Sequence, residues 1–329
     1  MLYWSKRHIV ALHERSLYVR ALVVDHTSPG HLSLADVPAP RPDAHEALVR
    51  VEALSLNSGE VHEATRAQTP GGTVLGWDAA GVVLQAAADG SGPAEGERVV
   101  TLGEAGWAEL RAVPASRIGT APYDADSGAL STVPVAGLSA LHVLRRMGPV
   151  LGRRVMVTGA SGGVGRYAVQ LAALAGAHVV AISRNPDQAD GLRALGAHEV
   201  LPEPAAARRP VSAVLDNVGG QYLVDAFDAL SAGGVLYSVG RSSGADVVLS
   251  PEALLGDGGR HDRSIRTFFL LGDPTADFSG DLTWLAGEIA AGRLDPGISW
   301  RGPWTRHSEA VQALLDRRLH GKAVLDLTR

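Results

Sequence analysis

Val157-Thr-Gly-Ala-Ser-Gly-Gly-Val-Gly165 joins two stretches of different periodicity. Before it, Arg154 to Thr158 is a continuous apolar run that reads as a buried strand. Gly163 to Ala175, which overlaps its end, has the spacing of a helix. A strand that enters a helix through small residues is the layout of a dinucleotide-binding turn. Against the pattern G-x-G-x-x-G the stretch sets Ala160, Gly162 and Gly165, with alanine in the first place. Each small residue has a physical reason. A side chain at Gly162 would strike a pyrophosphate, and Gly165 lets helix and strand pack closely. Amides around Ser161, Gly162, Gly163 and Val164 would then point at the phosphates from a helix N-terminus.

Moving outward, the next strand, His178 to Ser183, ends at Ser183-Arg184. A site selective for NAD places an acid here to hold the ribose 2′-hydroxyl, whereas an arginine attracts a 2′-phosphate and binds it with two hydrogen bonds. Such a charge-assisted contact is worth about 1.5–3 kcal/mol, or roughly 10- to 100-fold in preference. The expected cofactor is therefore NADPH.

The alternation continues through a helix at Pro186 to Leu195, a strand at Val211 to Asp216, a helix at Gln221 to Leu230, and strands at Val235 to Val239 and Ile265 to Leu271. Near-continuous apolar strands alternating with helices predict a doubly wound parallel sheet, a Rossmann domain. Upstream, Val19 to Asp25, His31 to Leu34, Ala47 to Ala53, Val82 to Gln85, Arg98 to Leu102 and Ala108 to Val113 are short strands parted by Gly, Pro and Asp, which predicts a β-rich, partly open barrel. A helix at Ala136 to Met147 opens the α/β part. Downstream come helices at Leu282 to Ala291 and at Ser308 to Arg318, the second capped by Ser308, then a strand at Lys322 to Leu327. This tail is too small for a core of its own and is expected to return to the β-rich part. The expected division is 1–135 with 272–329, and 136–271, with a cleft between the two lobes.

Composition narrows the function. The 329 residues carry a formal net charge of −5, which argues against a nucleic-acid binder. There is no cysteine, so disulfides, thiolate metal sites and thiol nucleophiles are excluded, and a reducing cytoplasm is the expected location. No apolar run reaches the roughly 18–20 residues that span a bilayer. Met1 to Leu17 mixes basic and apolar residues and is expected to be a loosely docked extension, not a secretion signal.

Several further segments resemble the medium-chain dehydrogenase/reductase superfamily, and within it the zinc-free quinone oxidoreductase (ζ-crystallin-like) branch, over roughly residues 19–327. They are Leu75-Gly-Trp-Asp-Ala-Ala-Gly-Val-Val83, Gly96-Glu-Arg-Val99, Pro134-Val-Ala-Gly-Leu-Ser-Ala140, Asp216-Asn-Val-Gly-Gly220, Val239-Gly-Arg-Ser-Ser-Gly244 and Gly321-Lys-Ala-Val-Leu325. Ser139 stands where the family has Thr. The resemblance implies a GroES-like catalytic domain built from both ends of the chain around a Rossmann domain. It also implies cofactor contacts at Asn57, Ser139, Ser161, Gly162, Gly163, Val164, Ser183, Arg184, Asn217, Gly240, Ser242, Phe269, Leu271 and Lys322. The strand at 265–271 pairs subunits in relatives, so a homodimer is expected. Zinc members carry a Cys near Asn57, a Gly-His-Glu in place of Gly76-Trp77-Asp78, and a four-Cys lobe. None of these is present, and His62 with Asp78 would supply too few ligands.

Without a metal, hydride transfer needs an acceptor whose charge spreads onto an oxygen: a quinone or an α,β-unsaturated carbonyl. Many relatives read Asn-Pro-x-Asp-x-Tyr after the matching asparagine. This chain reads Asn57-Ser-Gly-Glu-Val-His62, which puts His62 on the tyrosine position as a candidate proton donor beside Asn57, within a loop loosened by Ser58 and Gly59. Trp77 and Trp107 are candidate walls of an aromatic slot. Asp78 reads as a structural hydrogen-bonder. Two other readings share these residues: a stand-alone enoyl reductase acting on an acyl or polyketide thioester, and a non-catalytic NADPH-binding or sensor protein.

Overall fold

The computed structural model describes residues 17–256 and 258–327, so the expectation for the N-terminal extension lies, up to residue 16, outside the described residues. The strands in chain order are β1 (Tyr18–Val24), β2 (Leu32–Pro38), β3 (Glu46–Leu56), β4 (Asp78–Gln85), β5 (Arg98–Leu102), β6 (Leu110–Pro114) and β7 (Ile118–Thr120). They continue with β8 (Arg154–Val157), β9 (His178–Ile182), β10 (Glu199–Leu201), β11 (Val211–Asp216), β12 (Leu230–Ser238), β13 (Ser264–Thr267), β14 (Ile298–Pro303) and β15 (Lys322–Asp326). The chain forms two compact units. One takes the residues up to Pro134 with Ala276–Arg293 and Ile298 onward; the other takes Val135–Thr275 with Leu294–Gly297.

The first unit is β-rich. β1 and β2 form an antiparallel pair. A seven-stranded sheet runs β14-β15-β3-β4-β5-β7, with β6 also on β3. The long strand β3 is its spine. Along its first half alternate residues are buried (Ala47, Val49, Val51, Ala53), as expected of a strand with one wet face. Its last three, Leu54 to Leu56, are all buried, between β4 on one edge and β15 on the other. Register matters most here. Ser55 lies opposite Asp78, the first residue of β4, and Leu56 lies opposite Ala323, the second residue of β15. Three strand termini therefore meet, and each delivers a polar residue: Asn57, Asp78 and Lys322.

The second unit is a six-stranded sheet, β10-β9-β8-β11-β12-β13, with every pairing parallel. Counted within the unit this is the order 3-2-1-4-5-6, the doubly wound arrangement, and its reversal point lies between β8 and β11. Val155, Met156 and Val157 of β8 are fully buried, as a strand covered on both faces requires.

Four expectations change. Residues 58–65 are not a loop but a helix, Ser58–Thr65: Glu60 accepts the Asn57 backbone N–H at 2.8 Å, one half of an Asn-x-x-Glu capping box that opposes the loosening effect of Gly59. The strand expected over 265–271 stops at Thr267, because its partner β12 ends at Ser238, and Leu270–Gly272 forms a 3-10 turn. Ser308 lies inside the helix His307–Leu315 and does not cap it. A 3-10 turn at Trp304–Arg306 runs straight into that helix and puts Arg306 at the cap position. Leu294–Gly297 groups with the second unit, not the first, since Gln170 bonds both the N–H and the carbonyl of Asp295. Among the described residues no helix is long and apolar enough to cross a membrane.

Candidate active site

In the second unit, β8 ends at Val157 and the chain turns through Thr158 to Gly162 into the helix Gly163–Leu174. The Gly162 N–H bonds the Gly159 carbonyl at 3.0 Å, which makes the turn tight. The two glycines of the fingerprint are required for different reasons. A Cβ on Gly165 would lie 2.2 Å from the Gly159 oxygen and 2.7 Å from the Ala160 Cα, so helix and strand pack through it. A Cβ on Gly162 would meet only the Gly159 oxygen, at 3.4 Å, an ordinary contact. The described residues themselves do not demand glycine there. No side chain caps this twelve-residue helix, so its first amides are not consumed by a cap. These residues fit a dinucleotide.

The loops around the reversal point are braced by a carboxyl that the sequence reading did not single out. Asp216, at the end of β11, accepts from the Thr158 hydroxyl at 2.5 Å and from the amides of Val218 and Gly219. Burial pushes its pKa above the usual carboxylate range, against those three donors. Asn217 donates its side-chain amide to the Thr158 carbonyl at 2.9 Å, and Ser242 donates its N–H to Asn217. The amides of Val239 and Gly240 both reach the Asp216 carbonyl. The expected contacts Asn217, Gly240 and Ser242 are thus one bonded assembly. Ser183 is buried at the end of β9. Arg184 after it is exposed and forms no ion pair among the described residues. Ser139 is buried in the helix Val133–Arg146, Phe269 is exposed and Leu271 half-buried.

In the first unit the three strand termini build a polar network. Lys322 donates to Asn57 Oδ1 at 2.6 Å and to Asp78 Oδ2 at 3.0 Å. Asn57 Nδ2 donates to Asp78 Oδ2 at 2.8 Å and to Glu60 Oε1 at 3.3 Å. The Ser55 hydroxyl lies 3.0 Å from Asp78 Oδ2 and 2.9 Å from the Ser131 carbonyl, and shares its one hydrogen between them. Glu60 also accepts the Trp77 N–H at 2.7 Å. Burial first, and then the Asp78 charge, push the Glu60 carboxyl up to about 8, against Lys322 and the two backbone amides. Arg111 is buried nearby on neutral oxygens, those of Thr101, Trp77 and Glu104. Burial lowers its pKa to about 10, and the charges of Asp78 and Glu60 oppose that shift. Asp78 is the hydrogen-bonder the sequence suggested. Glu60, Ser55 and Arg111 were missed, although the Asn-x-x-Glu spacing signalled the first.

The remaining candidates separate. Trp107 is fully buried in the core of this unit with Leu22, Leu54, Val61 and Leu75, so it packs the core and walls no slot. Trp77 is half-buried, with its ring edge against Gly59, where a Cβ would come within 2.8 Å of the indole. His62 is exposed on its helix, and its Nδ1 donates to the Ser58 carbonyl at 2.6 Å. The neutral ring therefore keeps only a lone pair at Nε2 and has no other proton to give.

Residues 163–287 match the family described as zinc-binding dehydrogenase, and residues 43–123 match the alcohol dehydrogenase GroES-like domain. A probable zinc-binding oxidoreductase, mitochondrial, of Arthroderma benhamiae is 30% identical over 318 residues, which is 89% of this chain and 92% of that protein. The chloroplast envelope quinone oxidoreductase homolog of Arabidopsis thaliana is 33% identical over 210 residues, or 57% of this chain and 62% of the relative's length. The structure of a thermostable alcohol dehydrogenase from Pyrobaculum aerophilum superposes with a TM-score of 0.80 at 26% identity, covering 94% of this chain and 99% of that one.

Zinc appears in two of these descriptions, and the donor set here does not suit it. Asp78 Oδ2 already faces an ammonium at 3.0 Å, and His62 Nδ1 is tied to its own helix. Among the described residues no three His, Asp or Glu side chains converge as metal ligands.

Proposed function

Because this chain belongs to the medium-chain dehydrogenase/reductase superfamily, in its quinone oxidoreductase-like branch, we propose that it is an NADPH-dependent, zinc-independent oxidoreductase that reduces a conjugated acceptor, a quinone or an α,β-unsaturated carbonyl. The observation that carries this is the turn at Gly162, whose open Cβ position nothing among the described residues requires and a diphosphate would. The nucleotide supplies hydride. The protein's part is to bind, orient and stabilise. Amides of Ser161, Gly163 and Val164 take the diphosphate, and Arg184, without an ion pair among the described residues, takes the 2′-phosphate. Asn217, Gly240 and Ser242, fixed through Asp216, shape the ribose side. The half-buried indole of Trp77 offers a flat apolar face to a planar acceptor.

Assembly and location belong to the same proposal. β13 is the last strand of its sheet and, among the described residues, leaves one edge unpaired, with Ile265 exposed, which suits pairing with a second copy to form a homodimer. A cysteine-free chain suits the reducing cytoplasm.

The test is NADPH oxidation followed at 25 °C with 1,4-naphthoquinone, an alkyl enone and crotonyl-coenzyme A, each against NADH. Turnover with the quinone or enone and a preference for NADPH are expected. Exclusive turnover of the thioester would make the chain an enoyl reductase. Binding without turnover of any acceptor would leave a sensor.

A further inference from the structure

Lys322 opens β15 and is only 3% exposed. Its ammonium has three hydrogens. One is taken by Asn57 Oδ1 and one by Asp78 Oδ2, and nothing among the described residues accepts the third. A buried donor left without an acceptor is unfavourable, so the arrangement makes sense when something from outside the chain accepts that hydrogen.

The neighbouring groups narrow what that acceptor is. Asn57, expected as a cofactor contact and as the neighbour of the candidate donor His62, has no hydrogen to give. Both its Nδ2 hydrogens are committed, to Asp78 and to Glu60, and its oxygen faces the ammonium. Its amide orientation is fixed by charged groups on both sides. Between the amide of Asn57 and the ammonium of Lys322, the uncommitted hydrogen is therefore on Lys322. Asp78, at 3.0 Å, neutralises the charge of the lysine. The pair thus offers a directed N–H more than a net positive charge. That suits a carbonyl oxygen that is neutral in the ground state and becomes negative as reduction proceeds, better than it suits a phosphate already carrying full charge.

We propose that Lys322 donates this third hydrogen bond to the carbonyl oxygen of the acceptor, and that Asn57 and Asp78 are positioning residues that aim it. The proposal rests on the reading of the protein as a reductase of conjugated carbonyls. In the step, the hydride adds to the acceptor carbon with its electron pair, and the conjugated π electrons move onto the oxygen. Lys322 keeps its proton and stabilises the anion, and solvent later supplies the proton that completes the product.

The experiment compares Lys322→Met and Lys322→Arg in the full chain, with 1,4-naphthoquinone as probe. NADPH affinity is read separately by fluorescence titration. Lys322→Met is expected to lower kcat by about 100-fold, the size seen when one oxyanion donor is lost, with the NADPH Kd within threefold of the parent. Lys322→Arg is expected to recover part of the loss. Asn57→Ala, which leaves the ammonium held by Asp78 alone, should lower kcat by roughly 10-fold at unchanged quinone KM and unchanged NADPH Kd. Should Lys322→Met fail to fold by circular dichroism, Lys322→Met/Asp78→Asn, which removes both charges together, takes its place with the same expectation. A kcat within threefold of the parent overturns the proposal. So does a tenfold rise in NADPH Kd with kcat retained, which would assign the lysine to the nucleotide. If the parent chain turns over no quinone or enone, the underlying reading falls, and this one with it.

Discussion

The ammonium of Lys322 lies 3.0 Å from the Asp78 carboxylate, with the two side chains 3% and 0% exposed. A pair so far from water is weak evidence for stability, yet breaking it from one side is costly, because a lone buried charge is left behind. Asp78→Ala is expected to destabilise the first unit by about 3–5 kcal/mol, read from urea unfolding. Asp78→Asn, which keeps a hydrogen-bonding oxygen, should cost less. Equal stability of the alanine variant and the parent would mean that the pair is open to solvent.

Gly162 and Gly165 separate binding from folding. Gly162→Ala adds a methyl with only a 3.4 Å neighbour, so the fold should hold while NADPH Kd rises at least tenfold. Gly165→Ala forces a methyl to within 2.2 Å of a backbone oxygen and should cost about 1–3 kcal/mol in unfolding free energy even without ligand. The reverse pattern would place the phosphates elsewhere.

Arg184→Ala should raise the KM for NADPH by roughly 10-fold and leave NADH nearly unchanged, since only the first carries the 2′-phosphate. Parallel losses with both nucleotides would remove Arg184 from the specificity role.

Glu60 gives the first unit a pH dependence of definite sign. Its carboxyl titrates at about 8 when folded, against an ordinary 4.5. The folded state then holds the proton more tightly than the unfolded chain. Its contribution to stability is full below pH 4.5 and is lost as pH rises through 8. Relative to Glu60→Gln, the parent should lose stability across that window, on the order of a few kcal/mol in total. Parallel stability curves would show that Glu60 stays ionised when folded, held by its three N–H donors.

His62→Phe should leave kcat within threefold of the parent and leave its pH profile unshifted, because the ring is exposed and its one neutral-state hydrogen is tied to Ser58. A tenfold fall would restore His62 as a proton donor.

How far the sequence could be read depends on how local each signal is. The turn around Gly165 was legible because strand, turn and helix follow one another in sequence, and a turn's steric needs are written in its own residues. The helix after Asn57 is legible in its Asn-x-x-Glu spacing, a signal that Ser58 and Gly59, both weak helix formers, obscure. Trp107 could not be placed from sequence, since an indole suits a core as well as a slot. The Lys322 network was beyond reach for a different reason. Its partners are separated by as many as 265 positions, and only the register of β3 against β4 and β15 brings them together.

That register has a kinetic consequence. During synthesis Asp78 and Glu60 emerge long before the cation that balances them, whereas the second unit has nearly all its strands and helices in one continuous span from Val135 to Thr275. The nucleotide-binding half can therefore close early on short-range contacts. The β-rich half completes its acid–cation network only when β15 is available, so its closure is expected to be the slower of the two.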